Sequence, residues 1–147
     1  MWAMSATVFG IGRAPAPGTI ASLVSLPVAW VVMLYAGPFV LLALGAAIFI
    51  FGIWASEAYA IEQGNSDPSE CVIDEVAGQF IACAFAPLSL AGFAAAFVLF
   101  RLFDISKLWP ISAAERLHGG LGIMLDDLVA GLFAGVIVAV FAGVGLL

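Results

Sequence analysis

Charge is scarce in this chain, and positive charge is the scarcer sign. Only 10% of the 147 residues are charged, with ten Asp or Glu, four Lys or Arg and one His. A soluble domain carries about a quarter charged residues, so this composition indicates a membrane protein. The formal net charge of −6 provides no basic face, which excludes nucleic acid as a partner. It favours metal cations, or a phosphorylated substrate that is reached through a metal.

Cysteine is also rare, and several catalytic motifs are missing. Cys71 and Cys83 lie within or beside apolar segments and lack metal-ligand spacing, so we expect reduced packing residues rather than a disulfide. Neither begins a Cys-x₅-Arg phosphatase loop, because Ala77 and Ser89 stand at the arginine position. The lipid phosphatase signature Pro-Ser-Gly-His, P-loops and dinucleotide fingerprints are absent too. The first ten residues lack a basic segment, so no cleavable signal peptide is expected.

Long apolar runs are what the chain has in excess, since 65% of its residues are hydrophobic. Runs at 23–36 and 39–55 are separated by Gly37-Pro38, a turn signal, and predict a membrane hairpin. The run at 128–147 is long enough to span a bilayer. Residues 1–20 are rich in Gly and Pro and predict a tight loop rather than a helix.

The run at 76–100 decides the topology, because it carries Pro87 near its middle. As a single span it would put the acids around Asp74 and Asp126 on opposite sides of the bilayer. As a hairpin bent at Pro87, with arms at about 70–86 and 89–104, it keeps them together. The hairpin also puts all four basic residues on one side, which the positive-inside rule makes cytoplasmic. We therefore favour the hairpin.

This pattern predicts an all-α fold. The expected architecture is a polytopic integral membrane helical bundle of about five short transmembrane helices. Its N-terminus would lie inside and its C-terminus outside, with the active-site loops on one face. Residues 1–147 would form one membrane-embedded domain.

Carboxylates are concentrated at the ends of the apolar runs. Ionisable groups are costly there and usually mark an ion, proton or metal site. The acids concerned are Asp67, Glu70, Asp74, Glu75, Asp104, Asp126 and Asp127. Acids that converge from several helices fit an oxygen-ligand site for Mg²⁺, which substrate phosphate usually completes. The plainer alternative is a set of solvated acids at helix caps near the lipid headgroups.

Two stretches carry the same pattern of paired acids followed by glycine. Asp74-Glu75 precedes Gly78, and Asp126-Asp127 precedes Gly131. We expect each pair at a helix start, where the dipole favours anions, with the glycine admitting another helix beside the acid. Glu70 and Asp74 would be i,i+4 neighbours on a helix, which repel unless a cation lies between them.

Basic and hydroxyl side chains provide candidate phosphate ligands. Arg101 and Lys107 flank Asp104 and could bind a phosphate, although anchoring to anionic lipid beside Trp109 explains them equally well. Arg116 is better explained as an anchor. The single histidine, His118, is weak evidence for general-base catalysis.

Gly18, Thr19 and Ser22 follow Pro17 and could offer backbone amides and hydroxyls to a phosphate. Capping of the first long helix is the simpler role for the two hydroxyls. Glu57 and Glu62 are expected at a solvated helix end.

Taken in order, four groups of residues resemble the phosphatidylglycerophosphatase A family of bacterial membranes. They are Gly12…Pro15-Ala16-Pro17-Gly18-Thr19…Ser22-Leu23; Asp67-Pro68…Val72…Asp74-Glu75…Gly78; Phe100-Arg101…Phe103-Asp104-Ile105…Lys107 with Pro110-Ile111; and Gly119-Gly120-Leu121-Gly122-Ile123-Met124…Asp126-Asp127…Ala130-Gly131. The similarity runs from about residue 9 to 135. Ala21, where a glycine is usual, and Leu108, where Lys-Pro is common, depart from the family pattern.

The resemblance implies Mg²⁺-dependent hydrolysis of the terminal phosphate of phosphatidylglycerophosphate to phosphatidylglycerol, at the cytoplasmic face of the bacterial inner membrane. Its catalytic residues would be Asp74, Glu75, Asp104, Asp126 and Asp127. Its metal ligands would come from Asp67, Glu70, Asp74, Glu75, Asp126 and Asp127. Arg101, Lys107, Gly18, Thr19 and Ser22 would bind the substrate.

A small ion- or proton-coupled transporter is the competing class, because short, proline-broken helices with terminal acids also describe carriers. A carrier should place its acids at mid-membrane, whereas the predicted topology clusters them at one face. A third alternative, a non-catalytic membrane scaffold, leaves the acid pairs unexplained.

Overall fold

The computed structural model of the chain describes residues 2–66, 68–114, 117 and 119–147, and all regular structure in these ranges is helical. The helices are α1 (Trp2–Ala6), α2 (Pro17–Ala36), α3 (Pro38–Gln63), α4 (Ile73–Ala84), α5 (Leu90–Ser106), α6 (Ile111–Ala114) and α7 (Gly120–Gly143). A 3-10 turn at Ile11–Arg13 joins α1 to α2. The predicted all-α membrane bundle is confirmed.

Three long apolar helices frame the bundle. α2, α3 and α7 contain 20, 26 and 24 residues and are long and apolar enough to cross a membrane. At 1.5 Å per residue they measure about 30, 39 and 36 Å, against a hydrocarbon core of about 30 Å. Gly37, at φ 82°, separates α2 from α3, and Pro38 is the first residue of α3. The turn predicted at Gly37-Pro38 is confirmed.

The shorter helices α4 and α5 form the predicted hairpin. Residues 85–89, which include Pro87, separate them, and the Ser89 hydroxyl caps α5 by accepting the Gly92 N–H at 2.9 Å. α4 has 12 residues and α5 has 17. Their lengths are therefore about 18 and 26 Å, too short to match the three long helices. Within the described ranges, three helices rather than five have the length and apolarity of a membrane span.

Several predicted boundaries were wrong because the helices extend into the polar stretches. Residues 1–20 are not a simple loop: they contain α1 and the start of α2, where Pro17 occupies the first helical turn, a position proline tolerates. α3 continues through Glu57 and Glu62 to Gln63. α7 begins at Gly120 and not at residue 128, because Asp126 and Asp127 are buried within the protein and need not face lipid.

α4 lies at the centre of the bundle, in contact with α2, α3, α5 and α7. Eight of its twelve residues are buried. α4 crosses α7 where Gly78 meets Gly131: a Cβ on Gly78 would lie 2.6 Å from the Asp127 backbone oxygen, and one on Gly131 would lie 3.0 Å from Gly78 Cα. The expectation that these glycines admit a neighbouring helix beside the acids is confirmed, and Gly78 also admits the Phe100 ring of α5.

The direction of the helices gathers the polar residues at one end of the bundle. The starts of α2, α4 and α7 and the end of α5 all line one cavity. The turn at Gly37, residues 85–89 and residues 144–147 lie at the opposite ends of these helices. The acids around Asp74 and Asp126 therefore share one side, which excludes a single span over residues 76–100.

Candidate functional site

A cavity of about 770 Å³ opens at this end of the bundle. α2, α4, α5, α7 and the loop between α3 and α4 form its walls. Its polar lining comprises Thr19, Ser66, Ser69, Asp74, Glu75, Arg101, Asp104, Lys107, Asp126 and Asp127. All five residues predicted to be catalytic thus line one cavity.

Three carboxylates form the centre of the site. Asp74, Glu75 and Asp127 each contribute one oxygen to a group in which all oxygens lie within 4.8 Å of one another. Asp74 and Glu75 belong to the first turn of α4, as predicted. Asp127 reaches them from α7 because it lies one helical turn before Gly131, at the close crossing with α4.

Two oxygens of this group are buried without a hydrogen-bond partner among the described residues. They are Glu75 Oε2 and Asp127 Oδ2. Buried carboxylate oxygens that are unpaired and close to like charges are costly unless a cation compensates them. Three convergent carboxylates are the oxygen donors that a hard divalent cation such as Mg²⁺ prefers. The residues present therefore fit such an ion.

Two basic side chains face the carboxylates. Arg101 on α5 pairs with Asp104 Oδ2, and its Nη1 lies 4.0 Å from Glu75 Oε1. Lys107, in the left-handed conformation at the end of α5, places Nζ 3.1 Å from Asp126 Oδ2. Because both line the cavity and pair with its acids, this geometry favours the phosphate-binding interpretation over anchoring to lipid headgroups.

The start of α2 forms another wall of the cavity. Its N-cap residue is Ala16, in a left-handed conformation, and no side chain of the described residues caps the helix. The predicted capping by Thr19 or Ser22 was therefore wrong. A Cβ on Gly18 would overlap the Glu75 carboxylate and lie 3.1 Å from Arg101 Nη1, so glycine allows α2 to begin directly against these groups.

Thr19 lines the cavity, but Ser22 does not. The Ser22 hydroxyl is fully buried and donates a hydrogen bond to the Gly18 carbonyl oxygen at 2.9 Å. Ser22 therefore lies about one helical turn further from the cavity than Thr19.

Glu70 lies apart from the three-carboxylate group. α4 begins at Ile73, so Glu70 precedes the helix, and the predicted helical i,i+4 pair with Asp74 was wrong. The Tyr59 hydroxyl donates a hydrogen bond to Glu70 Oε2. Glu70 is not among the residues that line the cavity. Asp67, Arg116 and His118 lie outside the described residues.

The position of Asp126 and Asp127 also differs from the prediction. They are the seventh and eighth residues of α7, beyond the first turn in which a helix dipole acts, so the predicted dipole stabilisation does not apply. Glu57 occupies that terminus instead, accepting the Gly120 N–H. Glu57 and Glu62 are both exposed, as expected, although Glu57 lies within α3 and not at its end.

Sequence reasoning missed Glu57 and Tyr59 as supports of the site. Among the described residues the start of α7 has no local capping side chain, but nothing in the sequence indicates that Glu57 takes this role. For Tyr59 no signal exists either, since its partner Glu70 follows after a loop.

Comparisons with known proteins agree on one family. The family model described as Phosphatidylglycerophosphatase A matches residues 4–142. A protein of Escherichia coli K12 named Phosphatidylglycerophosphatase A is 37% identical, over 90% of this chain and 78% of its own length. One of Haemophilus influenzae with the same name is 38% identical, over 91% and 83%.

A third relative carries a different name. A protein of Bacteroides thetaiotaomicron named "Putative phosphatidylinositol-3-phosphatase" is 36% identical, over 91% of this chain and 89% of its own length. No solved structure matches the chain.

Proposed function

The chain belongs to the phosphatidylglycerophosphatase A family and is a phosphoric monoester hydrolase, and we propose that it hydrolyses the terminal phosphate of phosphatidylglycerophosphate. The product is phosphatidylglycerol, so the reaction would be a step of phospholipid biosynthesis. One observation carries the proposal: an apolar helical bundle gathers carboxylates, Arg101 and Lys107 around one cavity at its end. Both a lipid and its phosphate can be accommodated there, because the cavity adjoins membrane-spanning helices.

The phosphate would bind between the basic side chains and the start of α2. Arg101 has a guanidinium fork suited to two phosphate oxygens, and its Nε has no hydrogen-bond partner among the described residues. Lys107 adds a point charge, and the backbone amides near Gly18 and the Thr19 hydroxyl add neutral donors. These groups orient the phosphorus against the carboxylate group.

Asp74, Glu75 and Asp127 would hold Mg²⁺, and Asp126 would support the same ion from beside Asp127. When bound, the ion supplies positive charge at the phosphoryl oxygens. Phosphoryl transfer depends mainly on positioning and charge neutralisation, so this set of residues suffices in principle. Asp104 holds Arg101 in place through their ion pair.

The cavity would open to the cytoplasmic side of the bacterial inner membrane. Arg101 and Lys107 line it, and Arg13 precedes the α2 terminus that forms its wall. Positive residues are retained on the cytoplasmic side of bacterial membranes. The organisms of the named relatives are bacteria.

The direct test is release of inorganic phosphate by the purified protein in detergent micelles. We expect Mg²⁺-dependent release from phosphatidylglycerophosphate that stops on addition of EDTA. Phosphatidylinositol 3-phosphate is the comparison substrate, because one relative is named for it. Faster release from that lipid would change the substrate assignment. No release with any divalent metal, together with ion flux in sealed vesicles, would support the transporter instead.

A further inference from the structure

We propose that Tyr59 and Glu70 are positioning residues of this site and that Glu70 is not a metal ligand. Their hydrogen bond holds the loop of residues 68–72, which delivers Asp74 and Glu75 to the cavity. The inference rests on the proposed phosphatase function. It replaces the prediction, made from the sequence, that Glu70 binds metal.

Tyr59 provides a fixed point on α3. Its side chain is 1% exposed and packs in a core cluster with Ala6, Cys71 and Ile73. A buried hydroxyl requires a partner, and Glu70 Oε2 accepts its hydrogen. Because the ring is enclosed, the hydroxyl cannot follow the carboxylate if the loop moves.

The loop is attached to the bundle at adjoining residues. Ser56 Oγ, one turn before Tyr59 on α3, lies 3.2 Å from Cys71 Sγ. The Val72 N–H donates to the Ala6 carbonyl oxygen at 2.9 Å. Gly12 packs so closely on the Glu70 backbone that a Cβ there would lie 3.1 Å from Glu70 Cα. Three consecutive residues are thus held immediately before α4.

This arrangement matters for catalysis because α4 starts where the loop ends. Asp74 is the second residue of α4, so a displaced loop displaces its carboxylate. A misplacement of about 1 Å can lower a rate by about 10²-fold. Residues that orient metal ligands typically contribute about 10–100-fold to affinity or activity.

The position of Glu70 favours a positioning role over metal binding. One of its oxygens is occupied by Tyr59, and the residue does not line the cavity that Asp74, Glu75 and Asp127 share. A positioning role requires only a hydrogen-bond acceptor at Glu70. A metal ligand requires its negative charge.

Substitutions can therefore show whether Glu70 acts as a hydrogen-bond acceptor or through its negative charge. Glu70→Gln keeps an acceptor for the Tyr59 hydroxyl and removes the charge, whereas Glu70→Ala removes both. Tyr59→Phe removes only the donor. We expect Glu70→Gln to retain kcat within about 3-fold, and Tyr59→Phe and Glu70→Ala each to lower kcat about 10-fold or more, with little change in KM. The double variant Tyr59→Phe/Glu70→Ala should be no worse than Glu70→Ala.

The controls use exposed residues of the same type. Tyr35→Phe and Glu62→Gln alter exposed side chains away from the cavity and should behave as wild type. Thermal unfolding in detergent identifies variants that are merely misfolded. If Tyr59→Phe fails to fold, the comparison of Glu70→Gln with Glu70→Ala still shows whether Glu70 is a positioning residue or a metal ligand.

Two results would overturn the inference. If Glu70→Gln loses as much activity as Glu70→Ala and needs much more Mg²⁺, Glu70 is a ligand. If Tyr59→Phe keeps the wild-type kcat, the hydrogen bond does not position the site. Failure of the wild-type protein to release phosphate from any lipid would instead reject the proposed function.

Discussion

Asp127 reaches Asp74 and Glu75 from a different helix, and the three oxygens lie within 4.8 Å of one another. The convergence of these acids could be predicted from the sequence, because ionisable groups beside apolar runs are costly and usually mark a site. The supporting contacts of Glu57 and Tyr59 could not, since they join distant segments through single hydrogen bonds. At the scale of the residue, a sequence shows which acids converge but not the contacts that support them.

Neutral isosteres at the central acids should reduce turnover strongly. Asp74→Asn, Glu75→Gln, Asp126→Asn and Asp127→Asn should each lower kcat by on the order of 10² or more, because each removes a charge that would hold the proposed cation and stabilise the transition state. Phosphate release at saturating Mg²⁺ measures the effect, with Glu62→Gln as the control. Near-normal activity in all four variants would remove the support for a metal site at these residues.

Arg101→Lys should also be damaging. Lys cannot reproduce the guanidinium fork, and Arg101 contacts both Asp104 and Glu75. We expect kcat/KM for phosphatidylglycerophosphate to fall about 10-fold or more, since a charge-assisted bond contributes about 1.5–3 kcal/mol. Arg116→Lys, at a position assigned to lipid anchoring, is the comparison. Equal activity of the two variants would indicate that Arg101 does not bind the phosphate.

At the scale of the element, the crossing of α4 and α7 determines where the acids meet. Gly78 and Gly131 let the two backbones touch, and Asp127 lies on the same face of α7 as Gly131. The repeated acid-and-glycine pattern allowed this contact to be predicted. The start of α2 could not be predicted, because Pro17 is tolerated at a first helical position but does not require one. The start of α7 could not be predicted either, because its cap, Glu57, comes from a distant segment.

Gly131→Ala should separate these helices. The added Cβ would overlap the Gly78 backbone, and such overpacking costs about 1–3 kcal/mol. We expect a lower thermal unfolding temperature in detergent and a loss of phosphatase activity. Gly143→Ala, near the other end of α7, is the matched control, because no contact within 4 Å of its Cβ position is found in the described part of the chain. Equal behaviour of the two variants would show that the crossing tolerates separation.

At the scale of the whole molecule, the hairpin at Pro87 and the turn at Gly37 bring every chemically active segment to one end. The positions of these two chain reversals were predictable, since proline and Gly-Pro signals mark reversals regardless of helix length. The lengths of α4 and α5 were not. Their apolar composition resembles that of a span, but packing among the other helices lets them remain short.

The sidedness of the bundle can be measured by cysteine labelling. After replacement of Cys71 and Cys83, Ser66→Cys at the cavity should be labelled from the cytoplasm by a membrane-impermeant reagent. Leu146→Cys, beyond the end of α7, should be labelled only from the periplasm, because the C-terminus lies opposite the cavity. The reverse pattern would place the site on the periplasmic side, and labelling of both from one side would reject the topology.

α4 and α5 are about 18 and 26 Å long beside an α7 of about 36 Å, and this difference shapes the surrounding lipid. With α7 spanning the bilayer, we expect acyl tails of the far leaflet to bend into the space beyond residues 85–89. Bending tails has an elastic cost that falls as the bilayer becomes thinner. We therefore expect the protein to respond to bilayer thickness, because lipids with shorter chains would relax this region and lipids with longer chains would strain it.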